Sequence, residues 1–246
     1  MKRIRFIDSD CLKIVAMILM LVDHLWGTIV PGARWMTVIG RMAFPIFSFL
    51  IAEGYSHTSD FRAYARRLLA FGLISEIPFN LIHGGSWFFP PHQNVMFTLL
   101  LGLLCIREID RFRGEKTIKR GLLSGLKIVL FLLIGTLGFV DYGLTGILTV
   151  IAFYLFRNIK WAPLFQLVSL VLLYIVFFEG ESVVLNVLGY EYFLPLQGAG
   201  VLALIPIWLY NGTRKKHRWS KVWQYAFYTF YPLHMLAIYA VYLVAF

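Results

Sequence analysis

Apolar residues along this chain fall into long runs separated by short polar or basic stretches, without the alternation or single-face stripes of soluble elements. Nine runs reach or approach the about 20 residues that a helix needs to cross a bilayer: 11–30, 35–56, 62–82, 94–107, 121–140, 142–156, 161–178, 192–210 and 223–244. The fourth and sixth are short, a length that re-entry or snorkelling flanks can accommodate. The pattern predicts an all-α polytopic membrane bundle of about nine transmembrane helices, one domain over residues 1–246.

Basic residues give the bundle a direction. Of the 23 Lys and Arg residues, 21 fall on alternate connections or beside them, and only Arg34 and Arg41 do not. Lys2, Arg3, Arg5 and Lys13 precede or open the first run. Arg62, Arg66 and Arg67 open the third, and a cluster from Arg107 to Lys127 surrounds the link between the fourth and fifth. Arg157 with Lys160, and Arg214 to Lys221, mark the remaining two basic connections. The opposite connections carry Asp141, or Glu179, Glu181 and Glu191. Positive charge is retained on the cytoplasmic side, so this parity predicts the N-terminus in and the C-terminus out. The basic start ahead of an apolar run could open a signal peptide. However, the run is long, carries Asp23 and His24 and lacks a small-x-small cleavage pattern, so a retained first helix is expected, capped by Ser9 or Asp10.

Composition agrees: 59% of residues are hydrophobic, 17% are aromatic, and mean hydropathy is +0.73. A formal charge of +10 would suggest nucleic acid in a soluble protein, but here it is spent in topology-setting clusters, and no nucleic-acid partner is expected. Two cysteines, Cys11 and Cys105, give no basis for a disulfide or thiolate metal site. Most aromatic residues are expected to face lipid or anchor the interfaces. The Asn211-Gly212-Thr213 sequon falls on the cytoplasmic side and carries no meaning there.

Ionisable residues inside the runs are the candidate chemistry, because burying them in lipid is expensive. At about 1.5 Å per residue, His24 lies about 20 Å up from the cytoplasmic start of its run, Glu76 about 21 Å up from its own, and Arg41 about 9 Å down from the outer side. In a hydrocarbon core about 30 Å thick these three share one level, in the outer half. Asp23 is beside His24, Thr98 is at a similar level, and His234 is slightly deeper. Gly72, Glu76, Asn80 and His83 share one helix face, and Asn94, Thr98 and Gly102 share another. Pro45 and Pro78 can kink their helices beside this level. The plainer readings are a structural Asp23–His24 pair and an Arg41 that merely neutralises Glu76 or Asp23. Glu53 is expected at the interface or as a cap, and His57 and His217 are expected in solvent.

Specific runs carry a resemblance. Asp23-His24, Ile39-Gly40-Arg41-Met42-Ala43-Phe44-Pro45, Glu53-Gly54-Tyr55-Ser56-His57, Leu73-Ile74-Ser75-Glu76-Ile77-Pro78, Gln93-Asn94-Val95-Met96-Phe97-Thr98 and Phe227-Tyr228-Thr229-Phe230-Tyr231-Pro232-Leu233-His234 resemble the TraX family. Its namesake acetylates the N-terminus of conjugative pilin. The likeness is dense over 11–106 and 225–237, with Tyr142-Gly143-Leu144-Thr145-Gly146 as a weak landmark between them. Leu25-Trp26 stands where Ile-Gly is more usual in the family.

The resemblance implies a multi-pass protein of the bacterial cytoplasmic membrane that moves acetyl from cytoplasmic acetyl-CoA, its acyl-donor substrate, to an acceptor on the extracytoplasmic side. That acceptor is a peptide amine, a glycan hydroxyl or a small metabolite. On this reading His24 is the general base, or the nucleophile of a two-step relay with His234 as second histidine. Asp23 or Glu76 orients the imidazole, and Arg41 stabilises the oxyanion with help from Asn94 or Thr98. Arg62, Arg66, Arg67 and Arg111 are candidates for the coenzyme A phosphates. Two other classes remain open. A proton-coupled transporter or exporter would also place such residues at mid-membrane, although the two halves show no internal repeat. A metal-dependent hydrolase would draw on His24, His83, His92, His234 and Glu76, but no His-x-x-x-His or His-Glu-x-x-His spacing occurs, and no metal is expected.

Overall fold

The computed structural model describes residues 5–178, 180–187, 190–213 and 220–246. The basic residues Lys2, Arg3, Arg214, Lys215, Lys216 and Arg218, together with His217 and Glu179, lie outside the described residues.

The chain folds as α1 (Ser9–Thr28), α2 (Arg34–Gly40), α3 (Ala43–His57), α4 (Phe61–Gly84), α5 (Val95–Gly114), α6 (Ile118–Leu137), α7 (Gly143–Phe156) and α8 (Ala162–Val171), which runs on as a wider π-turn, Leu172–Val176. A hairpin of β1 (Ser182–Val187) and β2 (Tyr190–Pro195) follows, then a 3₁₀ stretch (Leu196–Ala203), α9 (Leu204–Trp208) and α10 (Ser220–Ala245). Among the described residues, four helical stretches, Ser9–Thr28, Arg34–His57, Ile118–Leu137 and Val222–Ala245, are long and apolar enough to cross a membrane. With the apolar surface left exposed on α6 and α8, they define a membrane protein.

Three sequence expectations are corrected. α1 is capped by Asp8, whose carboxylate accepts from the backbone N–H groups of Asp10 (3.0 Å) and Cys11 (2.9 Å), while Asp10 pairs with Lys13 (2.9 Å). The second run is two helices, broken at Arg41–Met42, with Pro45 in the first turn of α3, where its missing N–H costs nothing. The run 192–210 is only partly helical: Tyr190–Pro195 pairs antiparallel with Ser182–Val187, leaving Leu196–Trp208 as a short apolar helical segment. Short apolar runs rich in β-branched and aromatic residues read alike as strand or helix from periodicity alone.

The helices alternate in direction, and their ends are tied on both sides. At the basic end, the Tyr55 and Tyr154 hydroxyls both donate to Asp110 (2.9 and 3.0 Å), joining α3, α5 and α7. Ile7 forms a bridge with Tyr210. Buried Glu108 joins α5 to α6 by accepting from the Ser124 hydroxyl (3.4 Å), with the Lys127 ammonium 3.6 Å away, and on α5 itself it accepts from Arg111 (2.6 Å). At the opposite end, Gln93 bridges Val140. The core lies between α1, α3, α4, α5, α7 and α10, around Leu12, Ile46, Leu68, Leu103, Phe153 and Met235, and small residues let the helices close on it. Gly102 faces Val150, and Gly135 faces Ile147.

Candidate functional site

A chamber of about 410 Å³ opens between α1, the α2–α3 break, α4, the start of α7 and α10, away from the basic end. His24 lines it, one turn beyond Met20 on the same face of α1.

The hydrogen-bond network assigns the His24 tautomer. The Phe230 carbonyl, one turn back on α10, accepts from His234 Nδ1 (2.8 Å), so His234 Nε2 carries a lone pair. That nitrogen lies 2.6 Å from His24 Nδ1, which must therefore donate. His24 Nε2 is left with its lone pair uncommitted. The two rings are nearly parallel, at 2°. This order of groups is that of a catalytic triad, with a second imidazole and a backbone carbonyl where a carboxylate usually stands.

Asp23 does not take part in that order. Adjacent residues of a helix point about 100° apart, so the Asp23-His24 dipeptide is not a contact pair. Asp23 turns toward α2 and meets the Arg41 guanidinium at 3.6 Å, where Gly40 makes room for it. Arg41 is further fixed by Nε and Nη2, which donate to the Thr37 hydroxyl (3.1 and 2.9 Å).

Glu76, Asn94 and Thr98 also have other work. The Glu76 carboxylate accepts from both the backbone N–H (3.0 Å) and the side-chain amide of Asn94. The second amide hydrogen of Asn94 goes to the Gly72 carbonyl (2.8 Å), and its oxygen caps α5 at Met96 N–H (3.0 Å). The Thr98 hydroxyl donates to the Asp141 carbonyl. The structure thus puts Asp23, His24 and Arg41 in the chamber wall, with His234 against His24, and ties Glu76, Asn94 and Thr98 to one another's elements. It does not give Glu76 to His24, and it leaves Asn94 and Thr98 no free donor for an oxyanion. These three residues pin α4, α5 and the α6–α7 loop to one another.

Among the lining residues that the acyl-transfer reading of the sequence did not use are Asp141, Tyr142, His83 and His92. His83 is edge-on to His24 (6.1 Å between ring centres) and to His92 (5.6 Å), and His92 Nε2 is 3.5 Å from Asp141. That carboxylate pushes His92, in the loop after α4, above the ordinary histidine range. Helical spacing carries no signal for Asp141, Tyr142 or His92, because they sit on non-helical backbone. His83 was visible as the end of the Gly72–Glu76–Asn80 face, and it and His92 entered the sequence reading only as candidates of the metal-hydrolase alternative. Among the described residues, no three His, Cys, Asp or Glu side chains converge as metal ligands would.

A second cavity, about 520 Å³, runs from the basic end toward the first. Its outer part is polar, with Lys13, Glu53, His57, Tyr64 and Arg67, and its inner part is apolar, with Met17, Leu50 and Leu99. Met20, Phe47, Val95 and Tyr231 belong to the walls of both cavities. From Lys13 to His24 the path follows eleven residues of α1, about 16 Å. Of the four arginines predicted to hold phosphates, only Arg67 lines this cavity, and its buried Nε has no hydrogen-bond partner among the described residues. Arg62 and Arg66 are exposed on another face of α4, and Arg111 is committed to Glu108. Glu53 is neither a cap nor merely interfacial; it accepts from His57 (3.1 Å) at the mouth.

Fold and site together define a helical membrane protein with a histidine-centred chamber backed by a basic-mouthed cavity. The chain belongs to the TraX family: it matches the family described as "TraX protein" over residues 8–242. It is 33% identical over 106 residues to the probable fimbrial assembly protein FimC, serogroup H1, of Dichelobacter nodosus, covering 39% of this chain and 43% of that one. It is also 28% identical over 142 residues to Protein TraX of Escherichia coli, covering 57% and 53%. The chain spans about half the length of the curated relatives it matches. No solved structure matches it.

Proposed function

We propose that this protein is an integral membrane acetyltransferase that takes acetyl from acetyl-CoA at the basic, cytoplasmic end and delivers it to an amine or hydroxyl acceptor on the far side. The observation that carries this reading is the pair of cavities sharing one wall, with a histidine on the outer side whose Nε2 is kept as a base. Lys13 and Arg67 attract the phosphates at the mouth. The pantetheine arm lies along the apolar stretch past Met20 and Phe47, which brings the thioester to His24. His24 Nε2 then takes the acceptor proton as the acceptor attacks the thioester carbon, and His234 steadies the imidazolium through Nδ1. When the tetrahedral intermediate collapses, the C–S bond breaks and the proton passes to the departing thiolate. The name of the Dichelobacter relative ties that protein to fimbrial assembly, so pilus subunits head the acceptors to test.

The test is acetyl-CoA binding to detergent-purified protein, wild type beside His24→Ala, followed by transfer of radiolabelled acetyl to a candidate acceptor. Binding in both, with transfer lost in the variant, is expected; label retained on the wild-type protein alone would instead favour an acetyl-histidine route. Failure of the folded wild type to bind acetyl-CoA overturns the reading. A path of two adjoining cavities would equally suit a proton-coupled transporter, which would show substrate flux into proteoliposomes without acetyl-CoA.

A further inference from the structure

The loop between α6 and α7 holds two non-glycine residues in the left-handed region within four positions: Phe139 at φ 52° and Tyr142 at φ 62°. A side chain there costs about 1–2 kcal/mol per residue, and such conformations persist only where the surroundings dictate them. The surroundings here are explicit. Gln93 N–H donates to the Phe139 carbonyl, and Asp141 N–H donates to the Gln93 carbonyl, both at 2.9 Å. The Thr98 hydroxyl holds the Asp141 carbonyl. The Tyr142 ring is stacked on Phe44 with centres 3.9 Å apart, over Gly146, where any side chain would collide with it. A connector that only had to join two helices would need none of this. What the strained loop achieves is to present the Tyr142 side chain to the chamber that His24 and Arg41 also line.

Donor chemistry fixes what the two groups can do in that shared wall. A guanidinium has no acceptor, so Arg41 cannot take the phenolic proton, and the Tyr142 O–H is left to donate into the chamber. The positive charge behind it makes that O–H a stronger donor. Asn94 and Thr98, the donors expected from sequence, are bonded elsewhere. We propose that Tyr142 is a catalytic residue whose hydroxyl, backed by Arg41, donates to the thioester carbonyl oxygen as it becomes an oxyanion. This rests on the acyl-transfer reading. As the acceptor's nitrogen or oxygen bonds to the carbonyl carbon, the π electrons move onto that oxygen and Tyr142 stabilises them. They return when the C–S bond breaks, and the proton taken by His24 leaves on the thiol. Tyr142 neither gains nor loses a proton overall.

The test uses the full-length protein in detergent or nanodiscs. Tyr142→Phe keeps the ring, the stack on Phe44 and the backbone geometry, and removes only the donor. Loss of one oxyanion donor is expected to lower kcat about 100-fold, with KM for acetyl-CoA and the melting temperature unchanged. Fluorotyrosine placed at position 142 keeps the ring and the O–H donor, so it should retain the kcat that Tyr142→Phe loses. A merely structural ring would give the two variants the same kcat. The proposal is overturned if Tyr142→Phe keeps kcat within about threefold, if the variant loses thermal stability or acetyl-CoA affinity in step with its rate, or if the fluorotyrosine protein is as slow as Tyr142→Phe. Wild-type protein that binds no acetyl-CoA would overturn the acyl-transfer reading itself and this proposal with it. Active wild type with an equally active Phe variant would overturn only the role of Tyr142.

Discussion

Replacing His234 by phenylalanine keeps the ring volume but removes the one acceptor that faces His24 Nδ1. Without it the Nδ1–H is an unpaired donor at a buried site, which costs about 1–3 kcal/mol. The imidazole escapes that cost by moving its proton to Nε2, the nitrogen that has to act as base. If the wrong tautomer is favoured by that amount, only about one molecule in 5 to one in 150 remains competent, and kcat falls by the same factor. His234→Gln supplies a carbonyl oxygen at a similar reach and should recover part of the loss. The assay is the initial rate of labelled-acetyl transfer at saturating acetyl-CoA, read beside ¹⁵N-histidine spectra that report which nitrogen of His24 is protonated. Asp23→Asn is the control for the spectra, because Asp23 meets Arg41 and not His24, and it should leave the His24 proton on Nδ1 whatever it does to the rate. The tautomer argument fails if His234→Phe stays within about twofold of wild type, or if the His24 proton remains on Nδ1 in that variant.

Further outcomes follow from the same geometry. Arg67→Ala should weaken acetyl-CoA binding about 10-fold, the low end for a charge-assisted contact, whereas Arg62→Ala, Arg66→Ala and Arg111→Ala should leave the affinity in titration calorimetry unchanged; equal effects from all four would reject a specific site. Gly40→Ala drives a methyl group into the Asp23 side chain and should lower stability by about 1–3 kcal/mol, read as a drop in melting temperature in detergent. His92 is raised by Asp141, so the His92–Asp141 tie is complete below the ordinary histidine value, near 6.5, and is lost as pH rises through the higher folded value. Hydrogen exchange in residues 139–142 should therefore be slower in wild type than in His92→Ala on the acid side, with the two converging in alkali. A gap that persists at high pH would mean that the ion pair is not what holds the loop.

What could be read from the sequence was what helical repetition encodes. The apolar runs and the expected common depth of His24, Arg41 and Glu76 follow from a rise per residue, and the structure puts His24 and Arg41 in one chamber wall while Glu76 is spent on Asn94. Direction around the helix axis was harder. Asp23-His24 looks like a dyad in one dimension, yet the angle between neighbours sends one side chain to α2 and the other to α10. His234, 210 residues away, became the partner of His24 through packing that no spacing rule records. The loop residues Asp141, Tyr142 and His92 sit on backbone that Gln93 and Thr98 hold from outside, and although Thr98 itself lies on a legible helix face, the loop it holds leaves no periodic trace. The hairpin at 182–195 was missed because alternation and helical stripes look alike over six residues.

The four residues common to both cavities have a consequence for the living membrane. A passage running from one face of a bilayer to the other is a short circuit unless something plugs it, and a leak of protons would drain the gradient that powers the cell. Met20, Phe47, Val95 and Tyr231, the wall the two cavities share, are mostly greasy and too poor in polar groups to stabilise a continuous thread of water. If the acyl-transfer proposal holds, a slender organic arm crossing there would bring its own bulk to fill the opening where a hydrated ion is refused, and the insulation of the bilayer would be kept by the cargo itself.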